Sequence, residues 1–265
     1  MRPSFKLILL SFFLIYIPLQ SMAWGMLGHR IVGEIADSYI SAKTRKEVRK
    51  ILGNESLAMA SNWADFIKSD STYNYLGNWH YANFLDNMDY QALKEAMEKE
   101  TGTNIYNRIL FLTAELKNEN LEPQKKKMYL RLLIHFVGDL HQPMHMGRKA
   151  DSGGNGIKLS WFYQPTNLHR VWDEQLIEYQ QLSYTEYTRA INFTDPKQVK
   201  DLQNDDLTVW AYESYKISRQ LYSTVKPEEK LSYRYNFDHI DTLNQQLLKG
   251  GVRLAGLLNQ VFAGY

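Results

Sequence analysis

The chain reads as a mainly α-helical protein, one helical domain with a small β-hairpin. Three observations lead there. Apolar residues recur at three- and four-residue intervals through most of its length, the period of a helix face. Apolar/polar alternation at period two is confined to Ile157 to Tyr163. No internal repeat, linker or low-complexity tract divides the chain.

Taken in order, Gly28 to Ile40 places Ile31, Ile35 and Tyr39 on one stripe. Ser41 is a natural cap for a second helix, Thr44 to Leu52, and Leu57 to Lys68 reads as a third. Asn74 to Asn87 lacks helical period and reads as an ordered loop or short strand. Tyr90 to Lys99, Ile105 to Leu116 and Gln124 to Leu140 are three further helices. Ile157 to Tyr163 is the strand, with Gln164 to Asn167 as a turn. Helix resumes at His169 to Tyr179, Tyr184 to Ile191, Leu207 to Leu221 and Ile240 to Phe262. The last contains Gly250-Gly251, each glycine costing on the order of 1 kcal/mol relative to alanine; close helix packing is the reason to expect such a pair.

Met1 to Ala23 stands apart. Arg2 and Lys6, the apolar run Leu7 to Ile17 and then Ser21-Met22-Ala23 make a signal peptide with a small-x-small cleavage site. Cleavage leaves Trp24 as the first residue of a 242-residue domain (265 minus 23), with no membrane anchor. Removing Arg2 and Lys6 lowers the basic count from 31 to 29, against 29 acids, so the processed chain has no net formal charge. A polycationic grip on nucleic acid is not indicated. The chain has no cysteine, which fits a bacterial periplasmic or secreted product and leaves only oxygen and nitrogen as metal ligands.

The chemistry concentrates in Arg131 to Gly147, RLLIHFVGDLHQPMHMG. His135 and Asp139, four apart, leave the helix on one side amid Leu132, Leu133, Phe136, Val137 and Leu140. Pro143 stops the helix, and His141 and His145 follow in the turn. Imidazoles and a carboxylate are costly to bury unless something binds them, and both are normal zinc ligands. A helix end merely rich in histidine is the plain alternative. His169 and Asp173 repeat the spacing, where an ordinary helix ion pair is an equal reading. Asp65 and His80 each lie near a tryptophan, and His29 lies five residues beyond Trp24.

In order, these segments are Trp-Gly-x-x-Gly-His from Trp24, Trp-Ala-Asp to Asp65, Trp-His-Tyr around His80, His-Phe-x-Gly-Asp-x-His-Gln-Pro-x-His from His135, Gly-Gly-Asn to Asn155 and Asn-Leu-His-x-x-Trp-Asp to Asp173. The series resembles the fungal-type single-strand-specific zinc nucleases, relatives of zinc-dependent bacterial phospholipase C. The resemblance implies a helical fold of phospholipase C/nuclease type and three zinc ions. Asp65, His80, His135 and Asp139 would hold one. The Trp24 amino group and carbonyl, His29 and Asp139 would hold a second, and His145, His169 and Asp173 the third. It implies a secreted or periplasmic monomer that hydrolyses single-stranded DNA and RNA to 5′-phosphate products, with 3′-nucleotidase activity as a second activity to test. Zinc-dependent phospholipase C is the alternative. Asp65 would also orient the attacking water, and Lys68, otherwise a solvated lysine, would stabilise developing charge. Tyr81, Asn83 and Asn155 would contact substrate. Many relatives carry a carboxylate where Asn83 stands. His141 matches the motif without being a ligand there, and His239 reads as structural.

Overall fold

The computed structural model describes residues 24–264; the signal peptide expected at Met1 to Ala23 lies outside them. The elements run α1 (Met26–Tyr39), α2 (Ala42–Leu52), α3 (Leu57–Ala60), α4 (Trp63–Phe66), α5 (Tyr90–Lys99), α6 (Ile105–Leu116), α7 (Pro123–Leu140), β1 (Lys158–Trp161), β2 (Gln164–Asn167), α8 (Leu168–Arg170), α9 (Leu176–Glu178), α10 (Tyr184–Ile191), α11 (Pro196–Asn204), α12 (Leu207–Thr224), β3 (Lys230–Leu231) and α13 (Tyr233–Val261). The mainly helical expectation holds. Among the described residues, no helix is long and apolar enough to cross a membrane.

Helix α7 is the hub. The Glu122 carboxylate accepts hydrogen bonds from the backbone N–H of Gln124 and Lys125, and Pro123 opens the first turn, where its missing N–H costs nothing. Its other end is buried on all sides, every residue from Leu132 to Leu140, with His135 and Asp139 set among apolar neighbours. Helices α1, α3, α4, α6, α12 and α13 all pack against α7, so whatever its last turns carry is delivered to the centre of the molecule.

Several boundaries differ from the sequence expectation. Leu57 to Lys68 is α3, α4 and a 3₁₀ turn, Ile67–Ser69, rather than one helix. Ser56 caps α3 through Met59 N, while α4 starts after Asn62 without a side-chain cap. Of Asn74 to Asn87, expected as loop or strand, Asn74 to Trp79 belongs to a nine-residue 3₁₀ helix, Ser71–Trp79, whose first turn the Asp70 carboxylate caps through Thr72 N. The hairpin is real but displaced: Gln164–Asn167 is strand, and the turn is Phe162-Tyr163, both at positive φ (44° and 69°). Strand β3, absent from the expectation, pairs parallel to β1 and completes a sheet ordered β2-β1-β3. Helix α11 was also missed, although Asp195-Pro196 is a readable cap and first helical residue.

The Gly250-Gly251 pair does serve close packing, of α13 against α1. A Cβ on Gly251 would lie 2.4 Å from Cβ and Cγ2 of Ile35, whereas one on Gly250 would meet nothing nearer than 3.3 Å. Overpacking costs about 1–3 kcal/mol, more than the roughly 1 kcal/mol of helix propensity that alanine returns. Gly251→Ala is therefore expected to lower the urea midpoint clearly, and Gly250→Ala to lower it less or not at all. Equal midpoints for Gly251→Ala and the parent chain would contradict this packing.

Candidate metal centre

Four stretches of chain converge on the last turns of α7. His135 and Asp139 stand one turn apart, with Nε2 3.2 Å from Oδ2. Helix α1 delivers His29, whose Nε2 is 3.2 Å from the other oxygen of Asp139 and whose ring stacks on His135 at 3.8 Å. That approach depends on Gly138, where a Cβ would sit 2.8 Å from His29 Nδ1. Helix α4 brings Asp65 to 3.8 Å from His135 Nε2, and His80 closes the group at the end of the long 3₁₀ helix. The third cluster is built on a π-helical turn, Val171–Gln175, which follows α8. Here His169 Nε2 is 3.0 Å and His145 Nε2 3.7 Å from opposite oxygens of Asp173.

The donor atoms form three buried groups able to hold a metal ion: His29–Asp65–His135, His80–His135–Asp139 and His145–His169–Asp173. The first two share His135, so five side chains line one interleaved pocket. Trp24 is fully buried beside it. Its Nε1 donates to Gly138 O at 2.6 Å, and the next backbone N–H, of Gly25, donates to Asp173 O at 2.7 Å.

Hydrogen bonds behind the imidazoles decide what faces inward. Nδ1 of His80, His135, His145 and His169 meets the carbonyls of Leu76, Ser61, His80 and Gly153 at 2.6–2.9 Å. A carbonyl only accepts, so each Nδ1 carries a proton and Nε2 is the nitrogen that each ring turns inward, a ligand once it carries none. These four Nε2 atoms, both His29 nitrogens, Asp65 Oδ2 and both oxygens of Asp139 are buried without a hydrogen-bond partner. In the unprotonated state that binds metal, the short Nε2–carboxylate contacts set lone pair against lone pair. Leaving such groups unmatched costs about 1–3 kcal/mol each, and a bound cation is what satisfies them together. Gln142 adds a support that the sequence reading did not single out: its amide donates to Asp173 Oδ1 while its carbonyl oxygen accepts from Met144 N.

Charge follows the same logic. Burial opposes ionisation of Asp139, but the His135 and His145 imidazoles hold its carboxyl well below the usual range. Asp173 is lowered against burial by His169 and His145, and Asp65 by His135 and Lys68. Burial, then Lys68, pushes His80 down to about 3. Burial also pulls His145 down, yet Asp139 and Asp173 outweigh it and raise His145 to about 9.

An open cleft of about 870 Å³ lies over the centre. Lys68, His80, Tyr81, Asn83, His145, Asn155 and His169 all line it. Lys68 Nζ stands 2.5 Å from Asp65 Oδ1. Tyr81 is 40% exposed and its hydroxyl donates to Asn78 Oδ1; Asn83 Oδ1 is buried and unpartnered; Asn155 Nδ2 donates to Ser152 O. His141 stands outside the centre, its Nδ1 on Val137 O and its Nε2 accepting from Arg253. His239 packs against the rings of Trp172 and Tyr235.

A helical fold with buried His/Asp groups at the foot of an open cleft is that of the phospholipase C/nuclease type. The chain matches the alpha toxin from Clostridium absonum with a TM-score of 0.52 at 15% identity, covering 92% of this chain and 64% of the toxin, so it spans a little under two thirds of that protein. The model of the S1/P1 nuclease family matches residues 24–263, and the chain belongs to that family. It is 30% identical over 278 residues to endonuclease 3 of Arabidopsis thaliana, covering 92% of this chain and 90% of the endonuclease. Against nuclease P1 of Penicillium citrinum it is 27% identical over 269 residues, covering 90% and 97%. Hydrolysis of phosphodiester bonds is the chemistry of this family.

At neutral pH a proton on His145 occupies the place of the cation. A divalent metal must displace it, so affinity is expected to rise about tenfold per pH unit from pH 7 and to level off above about pH 9, once His145 has lost its proton. Zinc titration calorimetry in buffers of different ionisation enthalpy measures the released proton. Binding without proton release at pH 7 would contradict this charge balance.

Proposed function

We propose that the chain, cleaved before Trp24, is a three-zinc nuclease exported to the periplasm or beyond. As a monomer it hydrolyses single-stranded DNA and RNA to 5′-phosphate products and takes 3′-nucleotides as a second substrate. The observation that carries this reading is the ring of inward, unpartnered Nε2 and carboxylate atoms below an open cleft, in a chain of the S1/P1 family.

The proposed ligand sets are Asp65, His80, His135 and Asp139; the Trp24 amino group and carbonyl with His29 and Asp139; and His145, His169 and Asp173. Zinc bound there supplies Lewis acidity, lowering the pKa of water towards about 7 and offsetting charge on phosphate oxygens. The protein's own groups do the rest. Asp65 accepts a hydrogen bond from the water that attacks phosphorus and so aims its lone pair. Lys68, held by Asp65 at the cleft, places an ammonium where negative charge grows. Tyr81 offers its exposed ring to a base, worth about 1–3 kcal/mol in stacking. A base must leave a duplex to reach it, which favours single strands. Asn83 presents an acceptor and donor to the base edge, and Asn155 a polar contact to substrate.

The alternative, a zinc-dependent phospholipase C, would use the same ligands. Release of acid-soluble nucleotides from denatured DNA, with no turnover of phosphatidylcholine, is the expected result; lipid hydrolysis without nucleotide release would overturn the choice.

The Trp24 ligand role yields a separate test. In a precursor, or with an added Met before Trp24, its nitrogen is an amide and cannot bind metal as an amine. The Met-extended protein should therefore hold fewer zinc ions and turn over more slowly than protein beginning at Trp24. Equal zinc content and rates, by elemental analysis and nuclease assay, would remove Trp24 nitrogen from the ligand set.

A further inference from the structure

Helix α12 lies wholly beyond the motif-bearing stretch, Trp24 to Asp173, yet one of its faces grips the chain segments that wall the cleft. The central grip is Arg219. Its Nη2 donates to Phe84 O (2.9 Å), Leu85 O (3.2 Å) and Gly147 O (3.2 Å), and its Nη1 to Met146 O (3.2 Å). Its Nε lies 2.8 Å from Asp86 Oδ1. Four carbonyls from two distant segments thus converge on one guanidinium.

Those segments are the two sides of the cleft floor. One carries His80, Tyr81 and Asn83; the other carries His145 and leads to Gly153 and Asn155. Ahead of Arg219 they are stitched by Ala82 N on His145 O (2.8 Å) and Phe84 N on Gly147 O (3.0 Å). About one turn to either side on α12, two tyrosines extend the grip. Tyr215 donates to Leu85 O and accepts from Met88 N, with the Arg219 guanidinium 4.1 Å above its ring. Tyr222 donates to Asp151 Oδ1 and accepts from Arg148 N, holding the loop that ends in Asn155.

We propose that Arg219 is a positioning residue for substrate: by clamping the carbonyls of Phe84, Leu85, Met146 and Gly147 it sets the spacing between the Tyr81/Asn83 wall and the His145–Asn155 wall, and so the fit of the nucleotide base. Its geometry suits the task, since a planar fork can serve carbonyls of two chain segments at once where a lysine cannot. The metal ligands keep supports of their own, His145 on His80 O and His169 on Gly153 O. The inference rests on the nuclease reading given above.

The test compares zinc-loaded wild type with Arg219→Met and Arg219→Lys on single-stranded oligonucleotide and on bis(p-nitrophenyl) phosphate, a diester without a base. Arg219→Met is expected to raise KM for oligonucleotide roughly tenfold, the scale of one lost charge-assisted hydrogen bond, with a smaller change in kcat. KM for the base-free diester should change far less, zinc content should match wild type, and Arg219→Lys should recover part of the loss. Equal losses on both substrates, a fall in zinc content, or an unchanged KM for oligonucleotide would each overturn the proposal. Should Arg219→Met fail to fold, Tyr215→Phe removes a hydroxyl grip on the same segment, and the same outcomes decide. A wild type that cleaves neither substrate would instead overturn the nuclease reading itself.

Discussion

Everything in this molecule answers to an electrostatic conflict at its centre. Asp139 is fully buried with its carboxyl held well below the usual range, and its two oxygens face Nε2 of His29 and of His135 with no hydrogen-bond partner. In water such an arrangement would disperse. Here it is locked, because each histidine of the centre except His29 is pinned from behind by a backbone carbonyl, that of Leu76 one turn earlier for His80 and those of other parts of the chain for His135, His145 and His169. The fold therefore holds the donors in place, and the favourable free energy of closing the centre is left to a cation.

That constraint explains the packing around it. The buried end of α7 must be surrounded by helices close enough to exclude water, and glycine supplies the closeness where it matters: Gly138 lets His29 reach Asp139, and Gly251 lets α13 settle onto α1 behind His29. On the far side, Arg253 is fully buried, paired with Asp205 and Glu213 and donating to His141. Burial and the neighbouring Arg253 push His141 down to about 3, so it remains neutral and accepts. A second set of buried charges thus anchors the turn after α7 without competing for the ligands, as expected for a histidine that belongs to the motif but not to the centre.

What could be read from the sequence, and what could not, divides along the range of the interactions. His135 with Asp139 and His169 with Asp173 were legible because four-residue spacing on a helix is a local fact, and it survived even where the second pair sits on a π-helical turn. The meeting of His29 with Asp139 is not local. It came only from the ordered series of motifs, which the family match over residues 24–263 bears out. The hairpin turn was misplaced because Phe and Tyr are poor candidates for two successive positive-φ positions, and Gln-Pro-Thr-Asn carries the stronger turn signal. The expectation of a bacterial source stood on cysteine count alone.

The cleft walls show the deepest limit of pattern reading. Tyr215, Arg219 and Tyr222 follow helical spacing, so a periodicity argument sorts them only into a face, and the apolar stripe of α12 draws attention to Trp210, Ser214 and Leu221 instead. Their partners are mostly backbone carbonyls and amides, which carry no residue identity for a sequence to display. Ligand sets need particular side chains and leave motifs. Backbone grips need only a donor of the right reach, and they leave almost none. For that reason the part of the chain without motifs can hold the working geometry of the part that has them.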